Sequence, residues 1–136
     1  MSEHDEQTAL FLWASIYQES IPGIELMFAV PNGGYRLAKT AKDLKEEGVK
    51  AGVPDVWLPV CGIYEDKWVM GLVIEMKYGR NNPTPEQVWW LDQLAKKGWR
   101  TVVCYSWRAA ARAICEHFLI DFQSVGLEIA DREKKQ

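Results

Sequence analysis

One apolar run in this chain ends in charge, and that ending constrains the fold more than any other feature. Gly71-Leu72-Val73-Ile74 leads directly into Glu75-Met76-Lys77, where a buried strand would normally avoid ionisable groups. Upstream, Gly52-Val53-Pro54-Asp55 opens a second apolar stretch, residues 55–60. A polar segment, residues 62–67, separates the two, so residues 55–60 and 68–77 read as paired antiparallel strands. With the turn centred on Glu65, the register sets Asp55 opposite Glu75. Directly opposed side chains on such strands have Cβ atoms about 4.5–5.5 Å apart, a gap one cation can bridge. Glu75 and Lys77 are two residues apart and share a face, whereas Ile74 and Met76 point to the other.

The rest of the pattern surrounds this pair with helices. Ala9, Leu10, Trp13, Ile16 and Tyr17 recur at helical spacing and predict a helix over 3–19, stopped by Ile21-Pro22-Gly23. A short strand is expected over 26–30, closed by the turn Pro31-Asn32-Gly33-Gly34, and then a lysine-rich helix over 35–47 ending at Gly48. Thr84, Pro85 and Gln87 have the order of an N-cap, a first helical position and a capping-box partner. The helix they start carries Val88, Leu91 and Leu94 as its apolar stripe and ends at Gly98. Residues 99–105 read as a strand. Ser106 then caps a last helix with Ala110, Ala113, Ile114 and Phe118 at helical spacing. The order is αβαββαβα, an α/β domain with a mixed central sheet flanked by helices. Residues 131–136 form a charged tail.

Composition bounds the functional classes. At 136 residues the chain fits one domain, and no apolar run approaches the roughly 20 residues of a membrane span. The acidic, polar start lacks the features of a secretory signal. Cys61, Cys104 and Cys115 are odd in number and set among apolar residues, which predicts buried free thiols in a reducing compartment. His4 and His117 are far apart, so a zinc site or His-based catalysis is not expected. A net charge of −3 argues mildly against broad nucleic-acid binding, although local patches and bound ions matter more than the total.

Glu-X-Lys alone carries little information, because about one match is expected by chance in a chain this rich in both residues. Its place at the end of an apolar strand, with Asp55 in matching register, gives it weight. The bland alternative is a surface salt bridge between Lys77 and one acid. Asp55 could likewise only cap backbone amides. Gln87 at least caps its helix, and could also reach a metal or phosphate, since that N-terminus favours anions. Arg36, Lys39, Lys42, Lys45 and Lys50 form either a solvated helix face or phosphate contacts, with Asn32 and Gly33 allowing close approach of a DNA backbone. Glu3 and Glu6 are each suited to a helix N-terminus; of the two, Glu6, which precedes the buried stripe, is the favoured third acid of the site.

Taken together, Pro31-Asn32-Gly33-Gly34, the run from Leu44 through Gly48-Val49-Lys50-Ala51-Gly52-Val53-Pro54-Asp55, Ile74-Glu75-Met76-Lys77 and Pro85-Glu86-Gln87 resemble the VRR-NUC family of the PD-(D/E)XK nuclease superfamily. The resemblance extends from Glu6 to the last helix. It implies a restriction-endonuclease-like fold and a Mg²⁺- or Mn²⁺-dependent endonuclease acting on branched or structured DNA, in the manner of a Holliday-junction resolvase and as a homodimer. Asp55 and Glu75 would be metal ligands, the Met76 carbonyl a third, Lys77 the catalytic lysine and Gln87 the helix glutamine. Stand-alone relatives occur in bacteria and phages, which implies a cytoplasmic setting. The alternatives are a scaffold or nucleic-acid-binding protein on a nuclease fold, or a nuclease for plain duplex DNA or RNA.

Overall fold

The computed structural model describes residues 1–31 and 40–128. Among these, helix α1 (Glu3–Ile16) starts where the Ser2 hydroxyl accepts the Asp5 N–H. Strand β1 (Phe28–Ala29) and the short helix α2 (Ala41–Glu46) follow. Next come β2 (Val56–Leu58), β3 (Gly62–Tyr64), β4 (Lys67–Val69) and β5 (Leu72–Met76). Helix α3 (Pro85–Lys96), strand β6 (Arg100–Cys104) and helix α4 (Trp107–Phe118) complete the order. Single 3-10 turns lie at Gln18–Ser20, Ile24–Leu26 and Phe122–Val125. Among the described residues, no helix is long and apolar enough to cross a membrane.

The main sheet has the order β1-β2-β5-β6. Strand β2 pairs antiparallel with β5 through Val56↔Ile74, Trp57↔Val73 and Leu58↔Leu72. This is the register expected from the sequence, and one step further along it Asp55 meets Glu75. Strand β6 lies parallel to β5, Leu72↔Arg100 through Met76↔Cys104, with α3 as the crossover. Alternation divides the side chains between two faces. Val56, Leu58, Leu72, Ile74, Met76 and Cys104 face a core shared with Leu10 and Trp13 of α1 and Ala110 and Ile114 of α4. Asp55, Trp57, Val73, Glu75 and Lys77 lie on the opposite face.

Several expectations are corrected. The expected strand over 68–77 breaks into β4 and β5. A Cβ on Gly71 would lie 2.5 Å from the Trp99 ring and 2.9 Å from the Leu58 carbonyl, so the chain passes there only as glycine. The polar segment 62–67 is not all turn. It forms a separate β3–β4 hairpin around Glu65 and Asp66, both at positive φ as a two-residue primed turn requires. Helix α1 ends three residues early, at Ile16, which is exposed, and its buried residues are Glu6, Leu10, Trp13 and Ala14. The strand expected over 26–30 is reduced to Phe28–Ala29, because Ile24–Leu26 winds into a 3-10 turn. Cys61 is exposed, whereas Cys104 and Cys115 are buried as expected.

The helix caps follow the sequence. Thr84 and Gln87 form a capping box with Pro85 in the first turn, and Thr40 with Asp43 forms a second at α2. The stripe of α3 is only partly covered: Val88 is exposed, Leu91 and Leu94 are half-buried, and no residue of α3 is buried. Of the helix expected over 35–47, residues 41–46 are helical and 35–39 lie outside the described residues.

Candidate active site

The site is built at one edge of the main sheet, where β2 begins and β5 ends. Gly52, at φ +84°, turns the chain toward Asp55, and a Cβ there would sit 2.7 Å from the Glu86 backbone. The α3 N-terminus is thereby packed onto the loop that delivers Asp55. Trp90 Nε1 clamps the same loop by donating to the Ala51 carbonyl at 3.0 Å. Trp57 Nε1 donates to the Pro54 carbonyl at 2.9 Å. Asp55 Oδ2 accepts the Met76 N–H at 2.9 Å, which fixes its carboxylate across the strand end beside Glu75.

Glu75 is 1% exposed, and among the described residues its carboxyl interacts with Asp55 and Lys77 alone, no other group reaching either oxygen. Lys77 Nζ lies 3.6 Å from Glu75 Oε2, an ion pair too long to be a hydrogen bond, and Lys77 is itself buried. Burial first, and then the adjacent Asp55, push the Glu75 carboxyl up to about 8, against the opposing pull of Lys77. A buried carboxylate left in this state is unusual. In native structures such groups are paired, hydrated or coordinated.

Of the two acids of α1, Glu3 and not the favoured Glu6 is the one that feels the charges of Lys77 and Asp55. Glu3, in the first turn of α1, is raised by desolvation, pulled down by Lys77 and pushed up by Asp55, so it belongs to the same electrostatic cluster. Glu6 is turned inward with the buried stripe, and its Oε1 accepts the Trp107 N–H at 2.8 Å, capping the start of α4. The two acids are three residues apart and share a helix face, so what separates them is place along the axis: Glu6 lies a turn further in, where it meets the start of α4.

Among the other expected residues, Gln87 Oε1 accepts the Thr84 N–H at 2.9 Å as the capping partner, with its helix N-terminus against Gly52. Met76 meets the site through its backbone N–H, which donates to Asp55, while its side chain is in the core. Lys50 is exposed on the loop leading to Gly52. Asn32, Gly33, Arg36 and Lys39 lie outside the described residues. His117 is distant in role: its Nε2 meets the Val60 carbonyl at 2.6 Å, fastening α4 to the chain leaving β2.

The donors gathered here are the carboxyl oxygens of Asp55 and Glu75. Among the described residues no group of three His, Cys, Asp or Glu side chains is gathered around one point. Carboxylate oxygens as such suit a Mg²⁺-type ion better than a zinc-type one. Two acids held this close, Asp55 and Glu75, are where such an ion would bind.

Fold and site together define a nuclease-type α/β domain. The chain is similar to a solved structure described as a VRR_NUC domain protein, with a TM-score of 0.71 and 25% identity over 93% of this chain and 92% of that one. No protein-family model matches the chain, nor does any curated protein. The chain has the VRR-NUC fold.

Proposed function

We propose that this protein is a Mg²⁺- or Mn²⁺-dependent endonuclease that hydrolyses phosphodiester bonds in structured DNA. The observation that carries the reading is Glu75, a fully buried acid at a strand end whose partners are another acid, Asp55, and the buried Lys77. A divalent ion, when bound, would polarise the scissile phosphate and lower the pKa of a water. Asp55 and Glu75, with the Met76 carbonyl, would hold it, and Glu3 adds negative charge at the rim. The Met76 N–H keeps the Asp55 carboxylate aimed at this position. The Lys77 ammonium, restrained in a buried setting, orients the attacking water and balances the charge that develops on phosphorus. Gln87 stays a capping residue that sets the α3 N-terminus beside the phosphate path.

A homodimer acting on branched DNA is part of the proposal. The exposed Trp68 and Trp89, 74% and 56% accessible, are apolar surface of the kind a second subunit covers. Labelled duplex, flap, four-way-junction and RNA substrates, incubated with Mg²⁺, Mn²⁺ or EDTA, test the reading. Cleavage of DNA with either metal, lost by about 10²-fold or more in Asp55→Ala and Lys77→Ala, is the expected result. Binding without cleavage, unchanged in both variants, would establish a scaffold instead.

A further inference from the structure

We propose that Tyr105 stacks on an unpaired nucleobase next to the scissile phosphate, so that the preferred substrate carries single-stranded nucleotides at the cut. This inference rests on the nuclease reading above and specifies its substrate. The parallel ladder between β5 and β6 runs to the edge of the site: the Lys77 N–H donates to the Cys104 carbonyl at 2.9 Å. The pairing Met76↔Cys104, continued by one residue, sets Tyr105 beside Lys77 and on the face that carries Glu75. Neighbouring strands are about 4.8 Å apart, so the two residues are immediate neighbours.

Tyr105 is 43% exposed, and among the described residues its phenol has no hydrogen bond and its ring no ring contact. Tyr78, the residue after Lys77, is 39% exposed in the same condition. A ring this exposed beside the buried Lys77 has a face free to meet a ligand. Exposed Arg80 and Arg108 lie in the same two strand-end segments and supply charge for a phosphate backbone. A ring in this position gains from a nucleobase only when that base is unstacked, as in single strands, gaps and flaps, since a paired base already has neighbours on both faces. Duplex DNA therefore draws on the charges alone, and DNA with an unpaired nucleotide draws on the ring as well.

The test compares a blunt duplex with the same duplex carrying a short single-stranded gap. Affinities are measured in Ca²⁺ for the wild type, Tyr105→Ala and Tyr105→Phe, with cleavage followed separately in Mg²⁺ and Mn²⁺. The wild type should prefer the gapped DNA. Tyr105→Ala should lose roughly ten-fold on it, at blunt-duplex affinity unchanged, while Tyr105→Phe retains the preference. Equal effects of Tyr105→Ala on both DNAs, or none on either, would overturn the proposal. So would a Tyr105→Phe defect as large as that of alanine, which would assign the contact to the hydroxyl. Failure of the wild type to cut any DNA would remove the nuclease reading while leaving the binding comparison to decide the stacking.

Discussion

Replacing Glu75 by Gln should make the metal-free protein less sensitive to rising pH, because the native fold holds this carboxyl against its ionised form. The folded-state value is near 8 and the ordinary value 4.5, so folding favours the protonated acid. The sign follows: the contribution is fully present below pH 4.5 and is lost as pH rises toward 8. Integrated from pH 5 to pH 8, the wild type should lose about 3 kcal/mol that Glu75→Gln does not lose. The buried amide adds a penalty of about 1–2 kcal/mol that does not vary with pH, so the slope and not the absolute stability is diagnostic. Urea unfolding in EDTA at pH 5, 6, 7 and 8 measures it directly. A divalent ion at about a hundred times its Kd should then restore about 2.7 kcal/mol to the wild type and little to the variant. Parallel pH curves for the two proteins would refute the argument, since they would mean that Glu75 titrates as it does in water.

Three further outcomes follow from the geometry. Glu3→Ala should weaken metal-dependent cleavage at unchanged Tm, whereas Glu6→Ala should lower stability by about 1 kcal/mol through the lost cap on α4, read by thermal unfolding. His117 has its pKa lowered, by burial first and against the Val60 bond, so its contribution is present above the ordinary histidine range and is lost as pH falls below it; urea midpoints of wild type and His117→Gln at pH 7 and pH 5 should converge on acidification. Gly52→Ala should cost about 1–3 kcal/mol, seen as a lower urea midpoint, because both its φ and the Glu86 backbone exclude a Cβ, and cleavage should fall with it as Asp55 shifts.

The sheet register and the pairing of Asp55 with Glu75 are legible in the sequence because a two-residue period locks each apolar set to one face. A strand that alternates Leu72, Ile74 and Met76 against Val73, Glu75 and Lys77 has one register in which the first set meets a core. The caps at Thr84 and Ser106 are legible for a local reason: each involves a side chain and a backbone amide three residues on. What escapes such reading is decided by distant contacts. Glu6 is taken from the site by an amide 101 residues away. The break at Gly71 is set by Trp99. The exposure of Val88 shows the same limit, since a helical stripe states which side is apolar and not how much of it is covered.

Helix α3 is the crossover between β5 and β6, yet none of its side chains lies below the surface. Its hold on the rest of the domain comes from the Trp90 clamp, the Gly52 contact and a half-covered stripe. Such an element detaches in a local fluctuation of small free energy, and its amides should exchange with solvent deuterium well before those of α4.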